Sequence, residues 1–270
     1  MLKKRILYWV RKTGLMPLFD RLYFFFNKIY FIKKNKRFIK THPLVKLPPD
    51  YMIYEAFRMD YETYYNDGRD TAAWLVQRWS DYSSLVDSKI LDWGCGPARV
   101  VRHLPDFLPQ SKIYASDYNL QTIEWCKENI PGIEFIKNNL EPPLPFDDHF
   151  FDIVYALSVF THLSEENHYK WMDEMYRLLK PGGMFLLTTQ GSIFIDKLSE
   201  MEKKEFSQGL LVVRNNVKEG HRSFSAFHPK AFMQSVFSDR WKVLKFTKGT
   251  MHSWGPEQDT WIIQKNTELI

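Results

Sequence analysis

The residues best placed to do chemistry lie in one run, KILDWGCGPARV, at positions 89–100. An apolar stretch ends on Asp92, Gly94 and Gly96 flank Cys95, and Pro97 opens what reads as a helix. Glycines at a strand-to-helix turn let the backbone approach a ligand without interference from a Cβ. Proline suits the first helical position, where its missing N–H has no partner to lose. About 20 residues beyond the glycines, Asp117 closes the next apolar run. From there a carboxylate can accept hydrogen bonds from both hydroxyls of a ribose, or it can cap the helix starting near Leu120.

Two histidines are candidates for taking a proton. His162, in SVFTH at 158–162, lies just past a predicted strand, on the edge where open α/β sheets hold ligands. It is the first candidate for a general base, and its alternative is a hydrogen bond that shapes the loop. His228, in SAFHP at 225–229, either faces an acceptor or caps the helix after it. His221, His252 and Trp254 are further candidates, and Tyr64, Tyr65 and Gly68 either fold over a ligand or pack. No carboxylate cluster or cysteine pair has metal-like spacing, so no metal is expected.

The elements that must position these groups alternate. Short apolar runs predict strands at 89–93, 112–116, 133–136, 151–157 and 184–189, with two closing strands at 242–246 and 260–264. Helical spacing predicts helices at 71–79 (capped by Asp70 or Thr71), 97–107, 120–129, 165–179 and 229–237. Asn66-Asp67-Gly68 reads as a turn, and so does Lys180-Pro181-Gly182-Gly183. Asp152 reads as structural. Alternating strands and helices with continuous apolar strands predict a parallel sheet covered on both faces. Residues 190–228 lose that rhythm and read as a lid or insertion.

Four blocks in order, ILDWGCGPARV (90–100), YASDYN (114–119), NNLEPPLPFDDHFFDIVYALSVFTHL (138–163) and LLKPGGMFLLTT (178–189), resemble the class I S-adenosylmethionine-dependent methyltransferases. The resemblance implies a Rossmann-like α/β fold: a seven-stranded, mostly parallel sheet with an antiparallel last strand and helices on both faces. It implies S-adenosyl-L-methionine as cofactor. It also implies cofactor contacts from Asp92, Gly94, Cys95, Gly96, Asp117, Tyr118, Asn139, Leu140 and Ser158. The chain departs from the family's pattern at Ala98, where many members carry a third glycine. It departs again at Asn138-Asn139, where many have an aspartate facing the adenine amino group; an asparagine oxygen can accept the same bond.

Charge divides the chain. Residues 1–40 carry twelve Lys/Arg against one Asp, leaving 25 basic and 31 acidic residues for the rest, so the net +5 belongs to the arm. An acidic body argues against nucleic acid as partner. The arm (1–50) interleaves its cations with aromatics, among them Tyr8, Trp9, Phe25 and Phe26, and charges interrupt it short of a membrane span. It fits a peripheral helix on an anionic membrane, or a helix packed on the domain at 51–270. Two cysteines and no secretory run point to the cytoplasm, including the inner face of the membrane.

The LEPPLPF and SVFTHL phrases are similar to bacterial methyltransferases associated with cell-surface glycan assembly. That resemblance implies O-methylation of a sugar or another small hydroxylated acceptor. The competing readings are a nucleic-acid methyltransferase and a non-catalytic S-adenosylmethionine-binding scaffold. A dehydrogenase fits poorly with Gly-Cys-Gly followed by Lys-Pro-Gly-Gly.

Overall fold

The computed structural model describes residues 16–215 and 217–267. Tyr8, Trp9 and the short apolar run at 6–10 lie outside the described residues. Among the described residues, three helices precede the sheet, α1 (Met16–Thr41), α2 (Asp50–Ala56) and α3 (Tyr61–Ser80). The expected turn at Asn66-Asp67-Gly68 is instead the interior of α3. Its cap is Asp60, whose Oδ1 accepts from the Thr63 amide at 3.2 Å, and not Asp70 or Thr71. Gly68 marks a close approach rather than a turn. A Cβ there would stand 2.1 Å from the carbonyl oxygen of Arg99, so α3 lies directly on the loop after the first strand. The buried Tyr64 hydroxyl donates to the Pro97 carbonyl of that loop at 2.6 Å. Tyr64 therefore braces the loop from behind.

Strands β1 (Lys89–Trp93), β2 (Lys112–Asp117), β3 (Ile133–Lys137), β4 (Phe151–Ala156) and β5 (Leu179–Thr189) lie parallel in the order β3-β2-β1-β4-β5. Between them come α4 (Leu104–Phe107), α5 (Leu120–Asn129) and α6 (Glu165–Leu178). The insertion holds α7 (Glu200–Ser207) and a hairpin of β6 (Val212–Arg214) with β7 (Ser225–Phe227). After it follow α8 (Lys230–Phe237), β8 (Trp241–Thr247), the small pair β9 (Met251–His252) and β10 (Gly255–Pro256), and β11 (Asp259–Lys265). β11 runs antiparallel between β5 and the edge strand β8, completing seven strands. Alternate side chains fill two core layers. Leu91, Val154, Phe185 and Trp261 meet α6 and α8, while Ile90, Ile153, Leu186 and Ile262 meet α3 and α5.

Two further expectations change. Residues 97–107 do not form one helix. Ala98 takes a left-handed φ of 60°, so the chain turns through a short 3-10 segment, Val101–His103, before α4. Pro97 is thus a loop residue. Secondly, Lys180-Pro181-Gly182-Gly183 belongs to β5, which already pairs with Phe151 through Leu179 and then shifts register before Ile153. Asp152 locks this bulge: its Oδ1 accepts from Lys180 Nζ at 2.7 Å and its Oδ2 from the Lys89 amide at 2.9 Å. The insertion has its own hydrophobic cluster, Phe194, Leu198, Phe206, Val212 and Phe227, so most of it is a packed unit. The loop at 217–224 and β7 reach the rim of the main sheet.

Candidate active site

A cavity of about 420 Å³ opens at the carboxyl ends of β1, β2 and β4. Its walls bring together Asp92, Gly94, Cys95, Gly96, Asp117, Tyr118, Asn139, Leu140, Ser158 and His162. Gly94 has φ +79°, and a Cβ there would meet Val159 Cγ2 at 2.4 Å; any side chain would be both strained and obstructed. The Gly94 and Cys95 amides both donate to the Ser116 carbonyl, at 2.8 and 3.0 Å, which ties the glycine loop to β2.

Asp117 is fixed by two backbone donors. The Gly96 amide reaches its Oδ2 at 2.9 Å and the Asn119 amide its Oδ1 at 2.8 Å. It does not cap α5. That cap is Asn119, which accepts from the Thr122 amide at 3.3 Å. Burial pushes the Asp117 carboxyl above the usual carboxylate range. Burial, with the Asp117 charge added, raises Asp92 to about 7. The floor therefore carries two carboxyls that a cationic ligand would favour in ionised form.

The two asparagines after β3 divide sharply. Asn139 is exposed, and its Oδ1 already accepts from Lys137 Nζ at 2.9 Å. Asn138 is buried in the cavity wall; its Nδ2 donates to the Asn139 carbonyl at 2.6 Å and its Oδ1 has no partner. A buried carbonyl oxygen without a donor suits a ligand amino group. The structure thus favours Asn138, where the sequence reading favoured Asn139.

Loop 217–224 roofs the cavity and is tied down on three sides. The Gly220 amide donates to the His162 carbonyl at 3.0 Å, and the Tyr118 hydroxyl donates to the Gly220 carbonyl at 3.0 Å. Glu219 accepts from the Ser164 amide and from Asn167 Nδ2, at the start of α6. Arg222 pairs with Asp20 of α1 and donates to the Tyr54 hydroxyl of α2 at 2.7 Å. Arg222 also lines the cavity, together with His221 and with Glu55 of α2. None of these three was a main expectation from sequence. Glu55 is one of two carboxylates in a short aromatic helix and Arg222 a lone arginine in a polar loop, so neither carries a spacing signal.

A second cavity, about 360 Å³, adjoins the first and is lined by Glu55, Ala56, Phe57, His162, Arg222, Ser223 and Ser225. His162 is on the wall of both. Its Nδ1 is 2.8 Å from the Phe224 carbonyl. A carbonyl can only accept, so Nδ1 carries the proton and Nε2 keeps its lone pair. Burial lowers the His162 pKa, which holds the ring neutral. His221 is set the opposite way: its Nδ1 accepts from the Ser223 amide at 3.1 Å, leaving Nε2 to carry the proton. Burial lifts the Glu55 carboxyl.

His228 lies elsewhere. It is buried behind the cavity with its Nε2 2.9 Å from His168 Nε2. His168 gives its Nδ1 proton to the Ser164 carbonyl at 2.7 Å, so its Nε2 accepts and His228 donates. Burial drives His228 well below the usual histidine range. The ring is a core hydrogen-bond partner and touches neither cavity. His252 and Trp254 stack on one another in the β9–β10 hairpin, outside both cavities. Among the described residues no cluster of three metal-binding side chains occurs.

These groups fit S-adenosylmethionine. Asp117 offers acceptor oxygens for a ribose, the unpartnered Asn138 Oδ1 an acceptor for an amino group, and Asp92 negative charge for a sulfonium. The glycine loop leaves the backbone open to a ligand. The comparisons agree. A model described as "Methyltransferase domain" matches residues 91–187. Trans-aconitate 2-methyltransferase of Rhodopseudomonas palustris (strain BisA53) is 29% identical over 136 residues, 48% of this chain and 47% of that one. A tRNA N(3)-cytidine methyltransferase of Gallus gallus is 28% identical over 127 residues, 43% and 34% of the two chains. The chain thus spans about half or less of the length of these curated relatives. A crystal structure of a SAM-dependent methyltransferase from Methanosarcina mazei shares the fold, with TM-score 0.55 and 21% identity over 70% of this chain and 97% of that one. Residues 91–187 thus carry a methyltransferase domain, on a fold shared with S-adenosylmethionine-dependent methyltransferases.

Proposed function

We propose that this protein methylates an oxygen of a sugar or another small hydroxylated acceptor, with His162 as general base. The carrying observation is the place of His162 on the wall shared by both cavities, its Nε2 lone pair free of donors among the described residues. When bound, S-adenosylmethionine supplies the activated methyl carbon. The protein's own task is then to align the acceptor, exclude water and take one proton.

Asp92, Asp117 and Asn138 hold the cofactor side. On the acceptor side, Ser223, Ser225, Arg222 and Glu55 present donors and acceptors suited to hydroxyl groups. His162 Nε2 would take the proton of the acceptor hydroxyl, and the ring would then be an imidazolium held through Nδ1 by the Phe224 carbonyl, while the bound cofactor would supply the methyl group and leave as its thioether. The low pKa of His162 keeps the base form available at neutral pH.

The test compares surface glycans from cells with and without the protein by mass spectrometry, seeking the mass of one methylene. With an acceptor in hand, His162→Ala should abolish turnover while calorimetry finds S-adenosylmethionine affinity unchanged. An unchanged glycan profile moves the acceptor to another small molecule, and retained turnover removes His162 from the chemistry.

A further inference from the structure

We propose that the outer face of α1 docks on an anionic lipid surface, a property separate from the methyl-transfer reading. Leu18, Leu22, Phe26 and Ile29 follow one another at spacings of three or four, and Lys33, Lys36 and Lys40 continue the same series. At helical periodicity these positions form one stripe. Every member is exposed: Phe26 is 69% and Ile29 68% accessible. The stripe is thus apolar along its first half and cationic along its second. Phe25 flanks the apolar half and Arg37 the cationic half, both exposed.

The opposite face of α1 is the one that packs. Phe38 and Asn35 are buried there, and Asn35 Nδ2 donates to the Met59 carbonyl at 2.8 Å. Cations beside that face are neutralised: Lys28 pairs with Asp50 at 2.8 Å and Lys34 with Asp60 at 2.5 Å. Among the described residues no carboxylate pairs with Lys33, Lys36, Arg37 or Lys40. Paired lysines inside and unpaired lysines outside distinguish a face built for the domain from one built for something else.

Charge decides the occupant. An apolar stripe alone would suit a second copy of the chain, but two copies would bring these lysines together unpaired. A bilayer with anionic headgroups satisfies both halves, taking the aromatic and aliphatic groups into the headgroup boundary while the ammonium groups meet phosphates. No described helix is long and apolar enough to cross a membrane, so the contact lies in the surface plane. Asp20, on the inner side of the same helix, holds Arg222 of the cavity wall. Docking therefore brings the acceptor cavity to within about one helix diameter, ~10 Å, of the lipid.

The test uses the full chain and sedimentation with phosphatidylcholine vesicles, plain or containing phosphatidylglycerol. Binding is expected only with phosphatidylglycerol and should fall as salt rises. The triple change Lys33→Glu, Lys36→Glu, Lys40→Glu should weaken it at least about 100-fold. Phe26→Glu with Ile29→Glu should weaken it at least about 10-fold. Both variants should keep the parent's thermal transition and S-adenosylmethionine affinity. Equal binding to both vesicle types, insensitivity to either variant, or self-association abolished by Phe26→Glu with Ile29→Glu and no vesicle binding would each overturn the proposal.

Discussion

Gly68 of α3 stands where the first carbon of any side chain would be 2.1 Å from the carbonyl oxygen of Arg99. A glycine in a helix interior is normally worth replacing, since alanine gains about 1 kcal/mol of helix propensity. Here the added methyl meets backbone, which cannot swing aside, and overpacking costs about 1–3 kcal/mol or more. Because α3 braces the glycine loop, that displacement reaches the cofactor side. Gly68→Ala is expected to lower the melting temperature and weaken S-adenosylmethionine binding together. A raised melting temperature would show that the helix and loop are not in contact.

The two asparagines after β3 should behave differently in calorimetry. Asn138→Ala removes a buried oxygen of the cavity wall left without a donor and should cost about 1–2 kcal/mol of cofactor affinity, near tenfold. Asn139→Ala removes an exposed group already engaged by Lys137, so affinity should hold. Equal losses at the two positions would contradict the assignment.

Asp92 makes the unliganded protein less stable as pH rises. Its carboxyl titrates at 3.8 when solvated and at about 7 when folded. The penalty is absent below the first value and complete above the second, reaching on the order of 4 kcal/mol. Asp92→Asn should therefore stabilise the protein at pH 8, and its advantage should vanish toward pH 4. Chemical denaturation of both forms across that range measures the difference, and a pH-independent gap would count against a buried, protonated carboxyl.

The His168–His228 pair works in the other direction. Burial lowers His168 from 6.5 to about 4, and its Nε2 receives the proton of His228. Charging His168 would set its new Nε2 proton against the one His228 donates. Stability is therefore full above pH 6.5 and lost as pH falls toward 4, by about 3 kcal/mol from His168 alone. The Asp92→Asn background removes the largest opposing carboxyl titration. In that background urea midpoints should fall between pH 7 and pH 5; a flat profile would mean that the pair is solvated.

Nuclear magnetic resonance of ¹⁵N-labelled histidine should find opposite tautomers lining one cavity, Nδ1–H at His162 and Nε2–H at His221. An Nε2–H tautomer at His162 would undo the assignment of its Nε2 as the base nitrogen.

Much of the fold was written in local pattern. The helix at 120–129 and the strands around it appear where apolar periodicity put them, because side-chain alternation and helical spacing are properties of neighbours in sequence. The segments that departed are those whose conformation is set by distant contacts. Asn66-Asp67-Gly68 reads as a turn in isolation, yet a helix runs through it because Gly68 must clear Arg99. Residues 97–107 read as one helix, yet Ala98 holds a left-handed backbone that its own type disfavours.

By itself the sequence determined the seven strands of the main sheet, the glycine loop between Asp92 and Asp117, and the family resemblance these carry, because each rests on residues close together in the chain. Only the tertiary structure decided which asparagine keeps a free oxygen, that Glu55 and Arg222 reach the cavity, and that His162 faces it while His228 is spent on His168. A side chain's role depends on which partners have already claimed its donors and acceptors. Those partners come from elements that only folding brings together.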